Sequence, residues 1–176
     1  KLVDNIKYFY FPSTKFDLRK RINIDNYFNR KLCTLINSNL SSKSPGELYS
    51  ARLEIIKRFE KEHIDSFDLW GVGWNKWKFK IGNKTIFKSK LFTPNRISYQ
   101  GVAPDKLKIM SKYKFSICFE NTCLIEDYIS EKIFDSFLAG TIPIYYGAKN
   151  IKELVPVECF IDYRDFKNFK DLFNFI

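Results

Sequence analysis

The chain is 176 residues long, with 30 basic against 20 acidic residues (formal net charge +10), 45% hydrophobic and 18% aromatic. That length suits one well-cored domain with at most a small appendage, and the sequence has no run of about twenty apolar residues that would span a membrane. Four cysteines without a Cys-x-x-Cys pair and a single histidine, His63, argue against a structural zinc site.

The charge excess fits nucleic acid, an anionic membrane surface or a phosphate-bearing substrate, and does not choose among them. Of Cys33, Cys118, Cys123 and Cys159, three lie in apolar, strand-like surroundings and read as buried free thiols, which favours a reducing compartment. The sequence opens on Lys1, its one methionine is Met110, and it stops on Phe173-Asn174-Phe175-Ile176 as though a helix were cut short. It reads as a fragment of a longer chain.

Residues 1–30 begin with the aromatic run Tyr8-Phe9-Tyr10-Phe11, ended by Pro12, and a charged connector, Asp17 to Arg21. This reads as an extended arm or interdomain tail that packs its aromatics on the main body, with Arg19-Lys20-Arg21 as a solvated face. Lys31 to Ile36 is a strand. Ser44-Pro45-Gly46-Glu47 then marks a helix start, with Ser44 as cap, Pro45 in the first helical position and Glu47 completing a capping box. The helix runs to about His63 with an apolar stripe of Leu48, Ala51, Ile55 and Phe59, and Arg52 falls inside that stripe. An arginine on the core-facing side must find an anion or snorkel out. A salt bridge to a local carboxylate is one candidate.

Ser66 to Trp70 is the next strand, closed by Gly71-Val72-Gly73, a turn rather than a phosphate loop because no third glycine opens a helix after it. From Lys76 to Lys90 lysines alternate with apolar residues across Gly82-Asn83, the pattern of a β-hairpin with Trp77, Phe79 and Ile81 on one face and ammonium groups on the other. Its lysines read as guards of an edge hairpin or as a contact for an acidic membrane surface or anionic glycan. Nucleic acid is not expected, since the aromatics share a face the domain needs to bury. Pro104 to Lys112 is a short helix capped by Ala103 or the preceding turn.

Tyr113 to Phe119 is a buried strand bounded by Glu120 and Asn121. A polar loop follows, then a helix with Ile129, Ile133, Phe134, Phe137 and Leu138 on its packed face, a stop at Gly140 and a second apolar strand from Ile142 to Tyr146. This βαβ unit places Asn121, Tyr128, Glu131 and Lys132 beside a helix N-terminus, where N–H groups favour anions. Asn150 to Leu154 is a helical turn, Cys159 to Ile161 a last short strand, and Asp165 onward an amphipathic helix. Strands alternating with helices make the class α/β with a mostly parallel sheet.

The segment FEN…DYISEKIFDSFLAGTIPIYYG resembles the signature of the α1,3/α1,4-fucosyltransferases, glycosyltransferase family 10. These read roughly FEN, a short loop, DY[IV]TEK, a helix and [TV][IV]P[IV]xxG. Ser130 stands where Thr is usual and keeps the hydroxyl. The family's tail pattern Phe-Ile-x-x-x-Asp-Phe is met by Phe160 to Phe166, so the resemblance covers roughly the last sixty residues, with weaker echoes back to Lys31.

The resemblance implies a Rossmann-like sheet flanked by helices, the C-terminal half of a GT-B glycosyltransferase. Residues 31–176 would be the donor-binding domain, truncated at both ends, and residues 1–30 an arm or the end of the acceptor-side domain. The implied reaction is inverting, α1,3-type transfer of L-fucose from GDP-fucose to a hydroxyl of an acceptor glycan. Arg52 and Lys132 would neutralise the pyrophosphate leaving group, Arg52 through two parallel hydrogen bonds. Asn121 and Tyr128 would orient the nucleotide or ribose. Glu131 would bind ribose or sugar hydroxyls and is the catalytic candidate, stabilising positive charge on the sugar ring. The family's general base lies in its N-terminal domain and has no counterpart here, so the chain is expected to bind donor and transfer little. The sequence has no Asp-x-Asp pair, so a metal-independent reaction without cofactor is expected, with GDP-fucose as donor. The compartment expected is the cytoplasm, with a peripheral seat at the inner membrane for a bacterial-type chain, or the Golgi lumen for a eukaryotic one. From another class, a non-catalytic polyanion-binding module using hairpin 76–90 is the alternative.

Overall fold

The computed structural model describes residues 26–75, 77–81, 84–88 and 96–176. The arm from Tyr8 to Arg21 falls outside the described residues.

Strands β1 (Lys31–Ile36), β2 (Phe67–Trp70), β5 (Tyr99–Gly101), β6 (Tyr113–Phe119), β7 (Ile142–Tyr146) and β8 (Ile161–Asp162) form one sheet in the order β5-β2-β1-β6-β7-β8. Every neighbouring pair is parallel. Parallel strands are buried on both faces, which is why Tyr113 to Phe119 is nearly continuously apolar and six of its seven residues are buried. Around the sheet lie α1 (Tyr49–Glu62), α2 (Lys106–Met110), α3 (Glu131–Leu138), α4 (Ile151–Leu154) and α5 (Phe169–Phe175).

Two apolar layers sandwich the sheet. On one face Ile55, Ile56 and Phe59 of α1, with Phe169 and Leu172 of α5, cover Cys33, Leu35, Phe67, Leu69, Phe115, Ile117 and Ile144. Phe59 stacks on Phe67 at 4.7 Å and meets Phe169 edge-on at 4.9 Å. Truncating such a ring costs about 3–5 kcal/mol. On the other face Ile129, Ile133, Ile151, Val155 and Phe160 pack on Cys118 and Tyr145. The chain runs outward from β1 to β2 and β5, then returns to β6 and runs outward the other way. The order therefore reverses between β1 and β6, with α1 and α3 on opposite faces. In such sheets the crevice at the reversal, outside the carboxyl ends of the strands, is where ligands bind.

Several boundaries differ from those read in the sequence. Helix α1 begins at Tyr49, with Leu48 rather than Ser44 as the preceding residue, and Leu48 contributes no side-chain cap. Gly46, at φ +70°, and Leu48 give their backbone groups to the loop after β6: Cys123 N–H donates to Gly46 O at 2.9 Å and Leu48 N–H to Asn121 O at 3.1 Å. The left-handed backbone of Gly46 cannot enter a right-handed helix. Glu47 does the capping instead, its carboxylate accepting from the N–H groups of Tyr49 (2.7 Å) and Ser50 (3.1 Å).

Helix α2 is capped by Asp105, not Ala103, through a bond from Lys108 N–H at 2.9 Å. The last strand falls at Ile161–Asp162 rather than at Cys159, and α5 starts at Phe169 behind the cap Asn168 rather than at Asp165. Strand β5, an edge of three residues, has too short a pattern to read. All four cysteines are free, but only Cys33 and Cys118 are buried, and Cys159 is exposed. Strands β3 (Trp77–Ile81) and β4 (Lys84–Lys88) make the expected antiparallel hairpin with Ile81 opposite Lys84. They form a separate two-stranded sheet, not an edge of the main one. Which face its lysines take lies outside the described part of the structure.

Candidate functional site

The carboxyl end of β6, Phe119-Glu120-Asn121, sits at the reversal and holds two cations. Arg52 reaches it from the first turn of α1. The helical period that buries Ile55, Ile56 and Phe59 also turns this residue inward, and it is only 3% exposed. Its guanidinium donates twice to Phe119 O (Nε 3.1 Å, Nη2 2.7 Å) and once to Asn121 Oδ1 (2.9 Å). Asn37, just past β1, adds its side-chain oxygen 3.3 Å from Nε once its amide is oriented to satisfy both ends. The Tyr49 ring lies 4.8 Å from the guanidinium carbon.

No carboxylate is within ion-pair distance of Arg52 among the described residues, so the local-carboxylate reading does not hold. Burial lowers its pKa from the ordinary value, while Tyr49 and Glu120 work against that shift. Asn121 continues the chain by donating from Nδ2 to Tyr128 Oη at 3.4 Å. Burial first, then the Glu120 charge, pushes the Tyr128 phenol up, so it stays protonated as a hydroxyl donor.

The second cation is Lys132. Glu120, fully buried, accepts from Ser130 N–H (2.8 Å) and Ser130 Oγ (2.6 Å) and from Lys132 Nζ (3.1 Å). Lys132 Nζ also donates to Ser130 Oγ at 2.7 Å. A buried carboxylate needs partners of this kind to remain charged. Gly147 makes room for it: a Cβ there would lie 2.5 Å from Glu120 Cγ and 2.4 Å from Tyr145 Oη. Because the Ser130 hydroxyl is turned to Glu120, it gives no side-chain cap to the first turn of α3.

Glu131, the first residue of α3, is half-buried. Its Oε1 lies 3.8 Å from Lys132 Nζ and 3.9 Å from Lys106 Nζ. Burial raises its pKa, but Lys132, a backbone N–H and Lys106 outweigh that and hold the carboxyl below the usual range. The loop between the two clusters is pinned where it turns. Asp127, at φ 59°, accepts from Asn150 Nδ2 at 2.7 Å and donates its N–H to Asn150 Oδ1 at 3.1 Å.

The five residues singled out in the sequence thus fall into two neighbouring groups at the end of β6. Arg52, Asn121 and Tyr128 form one hydrogen-bonded chain, and Glu131 and Lys132 form a cluster around Glu120. Lys132 is not an open cation at a helix start, because its ammonium is turned inward. Glu120 and Asn37 were missed. Glu120 read as a strand boundary, and nothing in spacing announces that its carboxylate turns back under α3. Asn37 is one of several polar residues after β1.

Residues 27–176 match the model of the glycosyltransferase family 10 (fucosyltransferase) C-terminal region. The alpha-(1,3)-fucosyltransferase FucT of Helicobacter pylori is 39% identical over 72 residues, covering 41% of this chain and 15% of that protein. The alpha-(1,4)-fucosyltransferase of Arabidopsis thaliana is 41% identical over 63 residues, 36% of this chain and 16% of that one. Among solved structures, an alpha1,3-fucosyltransferase with GDP superposes with a TM-score of 0.57 at 24% identity, over 85% of this chain and 34% of that chain. A structure with GDP-fucose superposes equally, at 22% identity, over 85% of this chain and 35% of that chain. The chain therefore spans about a third of the solved fucosyltransferases and a smaller share of the curated relatives it matches. With its sheet, its crevice and all but the first 26 residues accounted for, this chain belongs to glycosyltransferase family 10, the fucosyltransferases.

Proposed function

We propose that this chain is the donor-binding domain of a fucosyltransferase. It binds GDP-fucose in the crevice between β1 and β6, and within the whole protein it serves inverting transfer of L-fucose to a hydroxyl of an acceptor glycan. The observation that carries the reading is Arg52, a buried guanidinium fixed by neutral oxygens and so left with its full charge, at the mouth of the crevice. Nη1, the guanidinium nitrogen that neither Phe119 nor Asn121 engages, is left to a diphosphate oxygen, and the N-terminal end of α3 favours the same anion. The fucosyltransferases of like fold bound to GDP and to GDP-fucose support the choice of nucleotide.

In this reading Arg52 and Lys132 stabilise the charge that develops on the departing diphosphate. Asn121 and Tyr128 offer an amide and a hydroxyl to the ribose or base. Glu131, ionised, accepts from ribose or sugar hydroxyls and favours positive charge on the sugar ring as the bond to the diphosphate loosens. No residue of this chain is assigned as the base that deprotonates the acceptor, so donor binding without efficient transfer is its expected behaviour.

Calorimetric titration with GDP and, separately, UDP tests this, with Arg52→Ala as control. Saturable GDP binding that UDP does not reproduce, and that the variant loses, is expected. Equal weak binding of both nucleotides, falling steeply with salt and indifferent to the substitution, would overturn the reading and leave non-specific attraction to a basic surface.

A further inference from the structure

Glu131 is oriented from outside the motif stretch. Helix α2 packs against α3, and Lys106, its first residue, sends its ammonium 2.6 Å to Asp135 Oδ2 and 3.9 Å to Glu131 Oε1. Asp135 lies one turn beyond Glu131 on α3 and is 3% exposed, and its Oδ1 has no hydrogen-bond partner among the described residues. A buried carboxylate that relies on one ion pair cannot release it without stranding its charge, so Lys106 is an anchored cation rather than a roaming surface lysine. Lys132 is anchored in the same sense by Glu120 and Ser130. Both ammonium groups lie nearest the same oxygen of Glu131, Oε1. The groups facing Glu131 are thus Lys106 from α2, Lys132 and Ser130 at the start of α3, and Tyr128 from the loop, whose phenol feels the Glu131 charge.

We propose that Lys106 is a positioning residue for the donor site: anchored on Asp135, it holds the Glu131 carboxylate in place to accept from a hydroxyl of the bound sugar nucleotide. The inference rests on the donor-site reading above.

Lys106→Gln alone strands Asp135 and risks the fold, so the variant to use is Lys106→Gln with Asp135→Asn, which removes both charges and can pair amide with amide. Lys106→Arg keeps the cation and serves as the rescue. Carbon NMR of the Glu131 carboxyl, assigned with Glu131→Gln, is followed with pH alongside GDP-fucose titrations of each protein. The double variant should titrate Glu131 roughly one pH unit higher and bind GDP-fucose about 3- to 10-fold more weakly at neutral pH, with both readouts restored in Lys106→Arg. An unmoved midpoint, or a moved midpoint with unchanged GDP-fucose affinity, overturns the role of Lys106. Wild-type protein that binds neither GDP nor GDP-fucose overturns the donor-site reading itself, before any variant is compared.

Discussion

Arg52 and Lys132 are both buried cations held at the end of β6, yet they are held by opposite means. Arg52 rests on neutral oxygens, the Phe119 carbonyl and the Asn121 amide. Lys132 rests on the carboxylate of Glu120. Neutral acceptors fix a guanidinium without cancelling its charge, whereas an ion pair fixes an ammonium and cancels most of it. The difference separates tasks. In the proposed reading Arg52 offers its charge to the diphosphate more fully than Lys132, whose pair with Glu120 also holds together the turn from β6 into α3.

The largest expected effect breaks the second region. Lys132→Ala leaves Glu120 fully buried without its cation, and stability should fall by about 3–5 kcal/mol in urea denaturation. Adding Glu120→Gln should recover most of that loss; a double variant as unstable as the single one would mean the pair does not act as a unit. Next comes Arg52→Ala, which should weaken GDP binding on the order of 100-fold. Its stability cost should be smaller, about 1–3 kcal/mol, since the acceptors it leaves are neutral. If Lys132→Ala cost more GDP affinity than Arg52→Ala in protein shown to be folded, the division of tasks would be reversed.

Gly147→Ala sharpens the contrast without touching a charge. The added methyl lies nearest Tyr145 and Glu120. It should cost about 1–3 kcal/mol of stability while GDP affinity moves less than in Arg52→Ala, as thermal melts and calorimetry would show. The smallest effect concerns a charge pair in neither group. Arg164 donates to both oxygens of buried Asp162 at 2.8 Å. Burial raises the Asp162 pKa, but the Arg164 bonds outweigh it and hold the carboxyl below its usual range. A depressed carboxylate contributes stability in full above its unfolded pKa, and the contribution is lost as pH falls through the lower folded value. Asp162→Asn should therefore flatten that part of the acid limb in stability measured against pH, and an unchanged limb would remove Asp162 from the account.

Much of this molecule was legible before any coordinates. Strands Lys31–Ile36, Tyr113–Phe119 and Ile142–Tyr146 fall where the apolar runs place them, because strands of a parallel sheet buried on both faces leave an unbroken apolar signature. The helical period alone turned Arg52 inward. The motif running through Asp127-Tyr128-Ile129-Ser130-Glu131-Lys132 carried the family, and the family model agrees over residues 27–176.

Tertiary structure decided what local pattern cannot carry. Ser44-Pro45-Gly46-Glu47 is a sound helix start in isolation, but Gly46 and Leu48 give their backbone groups to a loop more than seventy residues away in sequence, and the helix waits until Tyr49. Lys132 at a helix start reads as an open cation until Glu120 folds under it. Lys106 has no visible tie to Glu131 until α2 packs on α3. Element type and inward-facing positions follow from periodicity, which is local. Which oxygen meets which cation follows from how separate elements are brought together, and it is that choice which separates the open charge of Arg52 from the paired charge of Lys132.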